Sequence, residues 1–292
     1  MLFAALCVIW GLPYLFIRVA VEQVSPATLV FLRTAGAALL LLPVALARGL
    51  IGPVLARWRA LIVFSLVEVM VPWLLLSDAE RHLSSSLAGL LVAAVPMIGA
   101  TLARFSSHGD PMDRSQLAGL VLGIIGVGCL VGLDLGHLNL FAIAEMAVVS
   151  IGYAAGPLVL AKSLADLPGL GVIAAAMTIS AIGYLPWALL QPPRQVSGRA
   201  IASIVVLAVV CTALAFVVFF QLVAAIGPTR CTVITYVNPA VAILLGVTLL
   251  GERLTTGMLV GFPLILFGSV IAARKVVPPP DLPVGPAAVT AA

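Results

Sequence analysis

The sequence predicts an all-α integral membrane protein of ten transmembrane helices, built as two inverted five-helix repeats. Charged residues make up 9% of the 292 residues and hydrophobic residues 63%, whereas an ordinary soluble domain has about 25% charged residues. Ten apolar stretches follow one another, each close to the ~20 residues that a helix needs to cross a bilayer. Prolines and glycines of the first half recur about 143 positions later, which is typical of a duplicated unit.

The ten apolar stretches leave almost nothing for a soluble domain. Helix-breaking pairs separate several of them, such as Ser25-Pro26 after the first and Pro192-Pro193 after the seventh. The first stretch lacks a basic start and a cleavage site, so we interpret it as a span rather than a signal peptide. The approximate bounds are 2–21, 27–47, 60–79, 85–104, 116–133, 140–162, 169–190, 201–225, 229–250 and 256–274.

The recurring residues divide the chain into two halves. They include Pro43 and Pro186, Pro96 and Pro239, Gly119 and Gly261, and Gly126 and Gly268. We predict a first repeat over 1–135, a second over 139–276, and a disordered Pro/Ala-rich tail over 277–292. Because five spans is an odd number, the two repeats cross the membrane in opposite directions, an arrangement found in many transporters.

The basic residues predict the orientation in the cytoplasmic membrane. Loops near the cytoplasm carry an excess of Lys and Arg. With the N-terminus inside, nine basic residues lie in inner loops and four in outer ones. We therefore expect both termini in the cytoplasm. The net charge of +4 needs no nucleic-acid partner, and we expect none.

Several ordered motifs resemble one known family over nearly the whole chain. They are Trp10-Gly11, Arg18, Ser25-Pro26-Ala27-Thr28, Phe31-Leu32-Arg33, Gly227-Pro228, Tyr236-Val237-Asn238-Pro239 and Leu249-Leu250-Gly251-Glu252. Together they resemble the EamA domain, the ten-span branch of the drug/metabolite transporter superfamily. The resemblance implies two inverted five-helix repeats around a central cavity. It also implies export or exchange of small metabolites such as amino acids, or of drugs.

Ionisable residues inside spans are the first candidates for a site, because each costs about 2.5–3.5 kcal/mol at the bilayer centre on insertion scales. Glu68 lies near the middle of the third span, where it binds a cation or proton, or is a protonated structural group. Glu145 is a second candidate for coupling; the alternatives are an interfacial position or a helix cap. Arg33 suits an anionic group, but snorkelling or pairing with Glu22 is equally open.

Polar and aromatic residues supply further candidates for substrate binding. The ninth span carries a polar stripe at helical spacing, Thr232, Thr235, Tyr236 and Asn238, which lines a cavity or bonds neighbouring helices. The aromatic candidates are Trp10, Tyr14, Trp73 and Tyr153. Stacking on a ligand and simple helix packing are both open for these rings. We place the site between spans one, three, four, six, eight and nine.

Glycine pairs predict close helix contacts. Gly119 and Gly123, Gly128 and Gly132, and Gly257 and Gly261 are each four residues apart, a spacing that lets helices approach closely. The alternative is a face for a homodimer.

Other functional classes find little support in the sequence. The four cysteines are widely spaced without Cys/His pairing, so we expect no metal site. There is no phosphate-binding loop and no intramembrane catalytic pair, so we expect no cofactor and no enzyme activity. We predict a secondary transporter that exports a small-molecule substrate by alternating access. A membrane scaffold or receptor-like protein is the alternative.

Overall fold

The computed structural model describes residues 1–106, 113–132, 139–193, 195–226 and 234–273. These ranges contain helices and no strand, so the predicted all-α membrane fold is confirmed. Eight helices are long and apolar enough to cross a membrane: α1 (Leu2–Ala20), α2 (Pro26–Ala47), α3 (Trp58–Ala79), α4 (Ser85–Leu102), α5 (Arg114–Gly132), α6 (Leu140–Ser163), α7 (Gly169–Leu190) and α8 (Gly198–Val223). Two shorter apolar helices follow, α9 (Ile234–Leu250) and α10 (Thr256–Ala272). The predicted tail over 277–292 and the start of the ninth stretch lie outside the described ranges.

Hydroxyl and amide side chains begin several helices. Ser25 accepts a hydrogen bond from the backbone N–H of Thr28 at the start of α2, and Ser84 accepts one from Leu87 at the start of α4. Such caps satisfy backbone N–H groups that have no partner inside the helix. The predicted break after the first span therefore coincides with the start of α2, and α4 begins at the predicted start of the fourth span.

Each helix packs mainly against a helix of the other half. In three pairs the partners occupy the same position in their own half: α2 with α7, α4 with α9, and α5 with α10. The remaining central contacts are α1 with α8 and α3 with α6. Because α6 corresponds to α1 and α8 to α3, these two contacts are equivalent in the two halves. The chain therefore carries a twofold pattern of packing.

Glycines allow the backbones of α5 and α10 to touch. A Cβ on Gly119 would lie 2.5 Å from the backbone nitrogen of Ala272, and one on Gly261 would lie 2.7 Å from the carbonyl oxygen of Gly126. These distances are too short for any side chain, so the predicted close approach is confirmed there. A Cβ on Gly128 or Gly132 would meet no atom of the described residues within 4 Å. Within the described part of the chain this second pair makes no helix contact, so the prediction of a helix contact there is wrong.

Candidate functional site

Two π-helical segments occupy matching places in α3 and α8. They run over Ser65–Met70 and Val209–Leu214, 144 positions apart. Single π turns inside α-helices are often found at functional sites. The fourth residue of each segment is polar, Glu68 in the first and Thr212 in the second. The duplicated backbone feature thus carries a carboxyl group in one half and a hydroxyl group in the other.

Glu68 lies against α6 at a glycine. A Cβ added to Gly156 would collide with the carboxyl group of Glu68, so only glycine leaves room for it. The Oε2 atom is buried and accepts no hydrogen bond from the described residues. An ionised carboxylate without a partner is costly in such surroundings, so a proton or a cationic group stabilises it. The predicted role of Glu68 in binding or coupling remains a prediction.

Arg33 is buried between the two halves, with 6% of its surface exposed. Its Nε donates to the hydroxyl of Thr212 at 2.9 Å, and its guanidinium carbon lies 3.6 Å from the centre of the Trp73 ring. A cation over an aromatic face is attracted by the ring quadrupole, most strongly where water is excluded. The expectations that Arg33 snorkels or pairs with Glu22 are wrong, because its helix face packs against α3 and α8.

Two of the aromatic candidates lie beside Arg33. Tyr153 of α6 packs against the buried group of residues that contains Trp73, and it interacts electrostatically with Arg33. Tyr14 of α1 is 5% exposed and interacts electrostatically with Arg33 and Tyr153. Arg33, Trp73 and Tyr14 are buried and Tyr153 is half-buried, and together they form one group, the Arg33 cluster. Tyr153 also interacts electrostatically with Glu68, which connects the cluster to the π segment of α3.

Trp10 belongs to the contact between α1 and α8. Its ring centre lies 6.0 Å from that of Phe216 and 5.1 Å from that of Phe219. Gly11 next to it allows α1 to approach α9, because a Cβ there would meet Val241 at 2.5 Å. Packing accounts for the ring contacts of Trp10, and substrate stacking there remains a prediction.

The polar stripe of α9 bonds to neighbouring helices. The amide of Asn238, with its nitrogen facing the acceptors, donates to the backbone carbonyls of Cys7 at 3.1 Å and Ile234 at 3.0 Å. The Tyr236 hydroxyl donates to the carbonyl of Ser269 in α10 at 3.4 Å. Thr235 is half-buried on the same helix, and Thr232 lies outside the described residues. These contacts join α9 to α1 and α10, and substrate binding by the stripe remains a prediction.

Glu145 is buried near another carboxyl group. It is 6% exposed, and its side chain interacts with that of Asp78 on α3. Asp78 in turn forms an ion pair with Arg81 at 2.9 Å. The expected cap is wrong for Glu145, because the α6 cap is Asn139, which accepts from Phe141 and Ala142. An interfacial position of Glu145 stays a prediction.

Glu80 is the residue that the sequence analysis did not single out. It follows α3 directly, is fully buried, and neither carboxylate oxygen has a hydrogen-bond partner in the described part of the chain. Arg18 of α1 donates to its backbone carbonyl at 2.6 Å. Burial raises the pKa of the Glu80 carboxyl well above its usual range, and Glu252 raises it further, whereas Arg18 lowers it.

Glu252 joins the two halves at the same end. Its carboxylate accepts hydrogen bonds from the backbone N–H groups of Ser85 at 2.7 Å and Ser86 at 2.9 Å, and from the Ser86 hydroxyl. A carboxylate at a helix N-terminus satisfies unpaired N–H groups and complements the helix dipole. Glu252 comes from the loop before α10, so it caps α4 of the other half. Its motif was visible in the sequence, but its partner was not.

The two ends of α3 differ in packing. At the end opposite Glu80, a shallow surface crevice of about 580 Å³ lies between α3, α4 and α6. Arg59 and Lys162 line its mouth, and Val63, Leu102 and Ala155 line its wall. Ala155 is the neighbour of Gly156, which contacts Glu68. The described residues contain no cluster of His, Cys, Asp and Glu suited to a metal ion.

Comparisons with known proteins agree over nearly the whole chain. Residues 1–132 and 140–274 each match the EamA-like transporter family. The chain is 27% identical to the uncharacterized inner membrane transporter YedA of Escherichia coli, over 91% of this chain and 88% of YedA. It is 24% identical to the uncharacterized transporter YvbV of Bacillus subtilis, over 94% and 91% of the two chains. Protein PecM of Dickeya dadantii is 26% identical over the same shares.

A solved crystal structure shares the fold. It superposes with a TM-score of 0.66 over 93% of this chain and 94% of the other, at 19% sequence identity.

Proposed function

Because the chain belongs to the EamA-like transporter family, and is therefore a multi-pass membrane transporter rather than an enzyme, we propose that it exports small metabolites such as amino acids, or drugs. We further propose that both termini are cytoplasmic and that residues 1–135 and 139–276 act as inverted repeats. The excess of basic residues in the inner loops supports this orientation. The exchange of helix contacts between the two halves supports the repeats.

The proposed mechanism is alternating access between the two halves. Its support is the difference between the two ends of α3, which are about 33 Å apart at 1.5 Å per residue over 22 residues. One end opens into the crevice beside Arg59 and Lys162, and at the other end Glu252 bonds the second half to the first half. Alternating access requires that one end be closed while the other can open, and the hydrogen bonds of Glu252 to the first half support a closed end there.

The proposed substrate site comprises Glu68 and the Arg33 cluster. The observation that carries it is the carboxyl of Glu68, which is buried in a span without a hydrogen bond to its Oε2 atom. Such a group is expensive in a membrane and is therefore a candidate for function by default.

The test is counterflow in proteoliposomes against amino acids, sugars, nucleosides and cationic drugs. Once a substrate is found, we expect Glu68→Gln to lower its flux about tenfold or more, or to abolish its pH dependence, a loss equivalent to ~1.4 kcal/mol in the barrier. Glu22→Gln is the matched control, because Glu22 is exposed in the loop after α1.

Two results would count against the proposal. Absence of flux over the whole panel would contradict export of these substrates, provided that a cooperative thermal unfolding transition shows the protein to be folded. Flux of Glu68→Gln equal to that of the unsubstituted protein at every pH would show that Glu68 is structural.

A further inference from the structure

Three elements meet around the carboxyl group of Glu80. Arg18 at the end of α1 binds the backbone carbonyl of Glu80, α4 begins a few residues later, and Glu252 of the second half bonds to its first turn. Glu80 is fully buried at this junction. The junction therefore contains two carboxyl groups, and among the described residues that of Glu252 has hydrogen-bond donors whereas that of Glu80 has none.

The distribution of hydrogen bonds argues against an ionised Glu80. Arg18 donates to the carbonyl of Glu80 and not to its carboxylate, and neither carboxylate oxygen has a partner among the described residues. A buried charge of this kind is destabilising unless it is paired and hydrogen-bonded. The second carboxylate, on Glu252, adds repulsion. A neutral, protonated Glu80 removes both penalties.

The charged and titratable groups that face Glu80 come from several helices. They are Arg18 and Tyr14 on α1, Arg33 on α2, Tyr153 on α6 and Glu252 before α10. Asp78 and Arg81, close in sequence, pair with each other. The two arginines favour the ionised form, and burial and Glu252 oppose it. The balance favours the protonated form in this closed arrangement.

We propose that Glu80 is a proton-binding site, and that its protonation is linked to closure of this end of the transporter. The proposal rests on the proposed function, because it assumes that the end opens. Opening would separate Glu252 from Ser85 and Ser86 and admit water to Glu80. The hydrated carboxyl then releases its proton to water, and the closed arrangement requires that the proton be taken up again.

The sign of the pH effect follows from the direction of the pKa. A hydrated glutamate ionises with a pKa of about 4.3, whereas burial raises the pKa of Glu80 in the closed state. Below a pH of about 4.3, Glu80 is protonated in both the open and the closed state, so its ionisation does not affect closure. As the pH rises above that value, the open state gains by releasing its proton, so closure weakens.

The experiment measures how readily the closed end opens. Ser85 is fully buried, so a Ser85→Cys side chain reacts with a hydrophilic maleimide only when the junction opens. The four native cysteines, Cys7, Cys129, Cys211 and Cys231, are replaced by alanine in the protein in nanodiscs. Labelling rates are divided by that of free cysteine at the same pH, which removes the effect of thiol ionisation.

We expect the normalised labelling rate to rise with pH, by up to about tenfold per pH unit, the limit for release of one proton. Glu80→Gln should make the rate independent of pH, because an amide has no proton to release. Glu22→Gln, at an exposed position, should keep the pH dependence. Should Glu80→Gln fail to fold, Glu80→Met serves instead, because a buried group without partners tolerates an apolar replacement.

The proposal is overturned if the labelling rate is independent of pH in the protein that retains Glu80. It is also overturned if Glu80→Gln or Glu80→Met leaves the pH dependence of the labelling rate unchanged. The measurement needs no substrate, so it is separate from the counterflow test. Counterflow without a Glu80-dependent labelling rate refutes the proton site alone. Glu80-dependent labelling without counterflow supports the proton site and refutes the proposed substrates alone.

Discussion

The hydroxyl of Thr212 makes two buried hydrogen bonds, and both are lost when valine puts a methyl group in the place of the hydroxyl. It accepts from the Nε of Arg33 at 2.9 Å and donates to the carbonyl of Leu207 at 2.7 Å. Thr212→Val keeps the shape of the side chain and removes both bonds. Thr212→Ser keeps the hydroxyl and loses only a methyl group. Comparing the two variants isolates the hydrogen bonds from the packing.

The charged donor decides the magnitude. Hydrogen bonds between helices in membranes contribute only about 0.6 kcal/mol on average. Leaving a buried polar group unpaired costs about 1–3 kcal/mol, and more when it is charged. Because Arg33 is charged and 6% exposed, we expect the loss for Thr212→Val to lie near ~2 kcal/mol, at the middle of the second range. That corresponds to a fall in Tm of about 4–8 °C.

Thermal unfolding followed by tryptophan fluorescence measures the loss. Trp73 stacks directly on the guanidinium of Arg33, so its emission also reports any displacement of that group. We expect Thr212→Ser to unfold close to the unsubstituted protein. Equal Tm values for Thr212→Val and Thr212→Ser, within ~1 °C, would refute the reasoning that Thr212 holds Arg33 in place.

Two further predictions concern contacts between the halves. Glu252→Ala should lower Tm through the loss of charged hydrogen bonds to α4, about 1.5–3 kcal/mol, whereas Ser86→Ala, which keeps both backbone donors, should cost less; equal Tm values for the two would contradict the cap. Gly268→Ala should destabilise the protein, because its Cβ would collide with the backbone of α5, whereas Gly128→Ala should be neutral or stabilising by up to ~1 kcal/mol; chemical unfolding measures both, and similar losses would rule out the close contact.

Much of the fold could be predicted because the membrane limits the choices. Apolar stretches of about 20 residues have to be helices in lipid, and the described helices begin within two residues of the predicted ones in most cases, as at Pro26 and Ser85. The displacement of about 143 residues also predicted corresponding glycines. Gly119 and Gly261 indeed lie in one interface. Which glycines face a neighbour depends on helix rotation, and the spacing alone misassigned Gly128.

The candidate site was harder to predict because burial and partners depend on tertiary contacts. Glu68 was recognisable from its depth in a span, but Glu80 follows the end of α3 and reads as an ordinary loop residue in the sequence. It is fully buried, and its electrostatic partners are Arg18 and Glu252, the latter 172 positions further along the chain. Arg33 was a candidate, but its partner Thr212 is 179 positions away. The sequence alone does not show which side chain donates a hydrogen bond to a hydroxyl in an apolar span.

The charges of the site break the symmetry of the packing. About 143 positions after Arg33 lie Ala176 and Met177, and Glu68 corresponds to the uncharged Thr212. Two identical inverted halves would make the inward-open and outward-open states equivalent by a twofold rotation and equal in energy. Different charges in the two halves give the two states different energies, and a ligand shifts their populations only by binding them unequally. In the proposed cycle, a proton on Glu80 and a substrate at Glu68 are therefore the groups that can reverse the bias which the sequence difference creates.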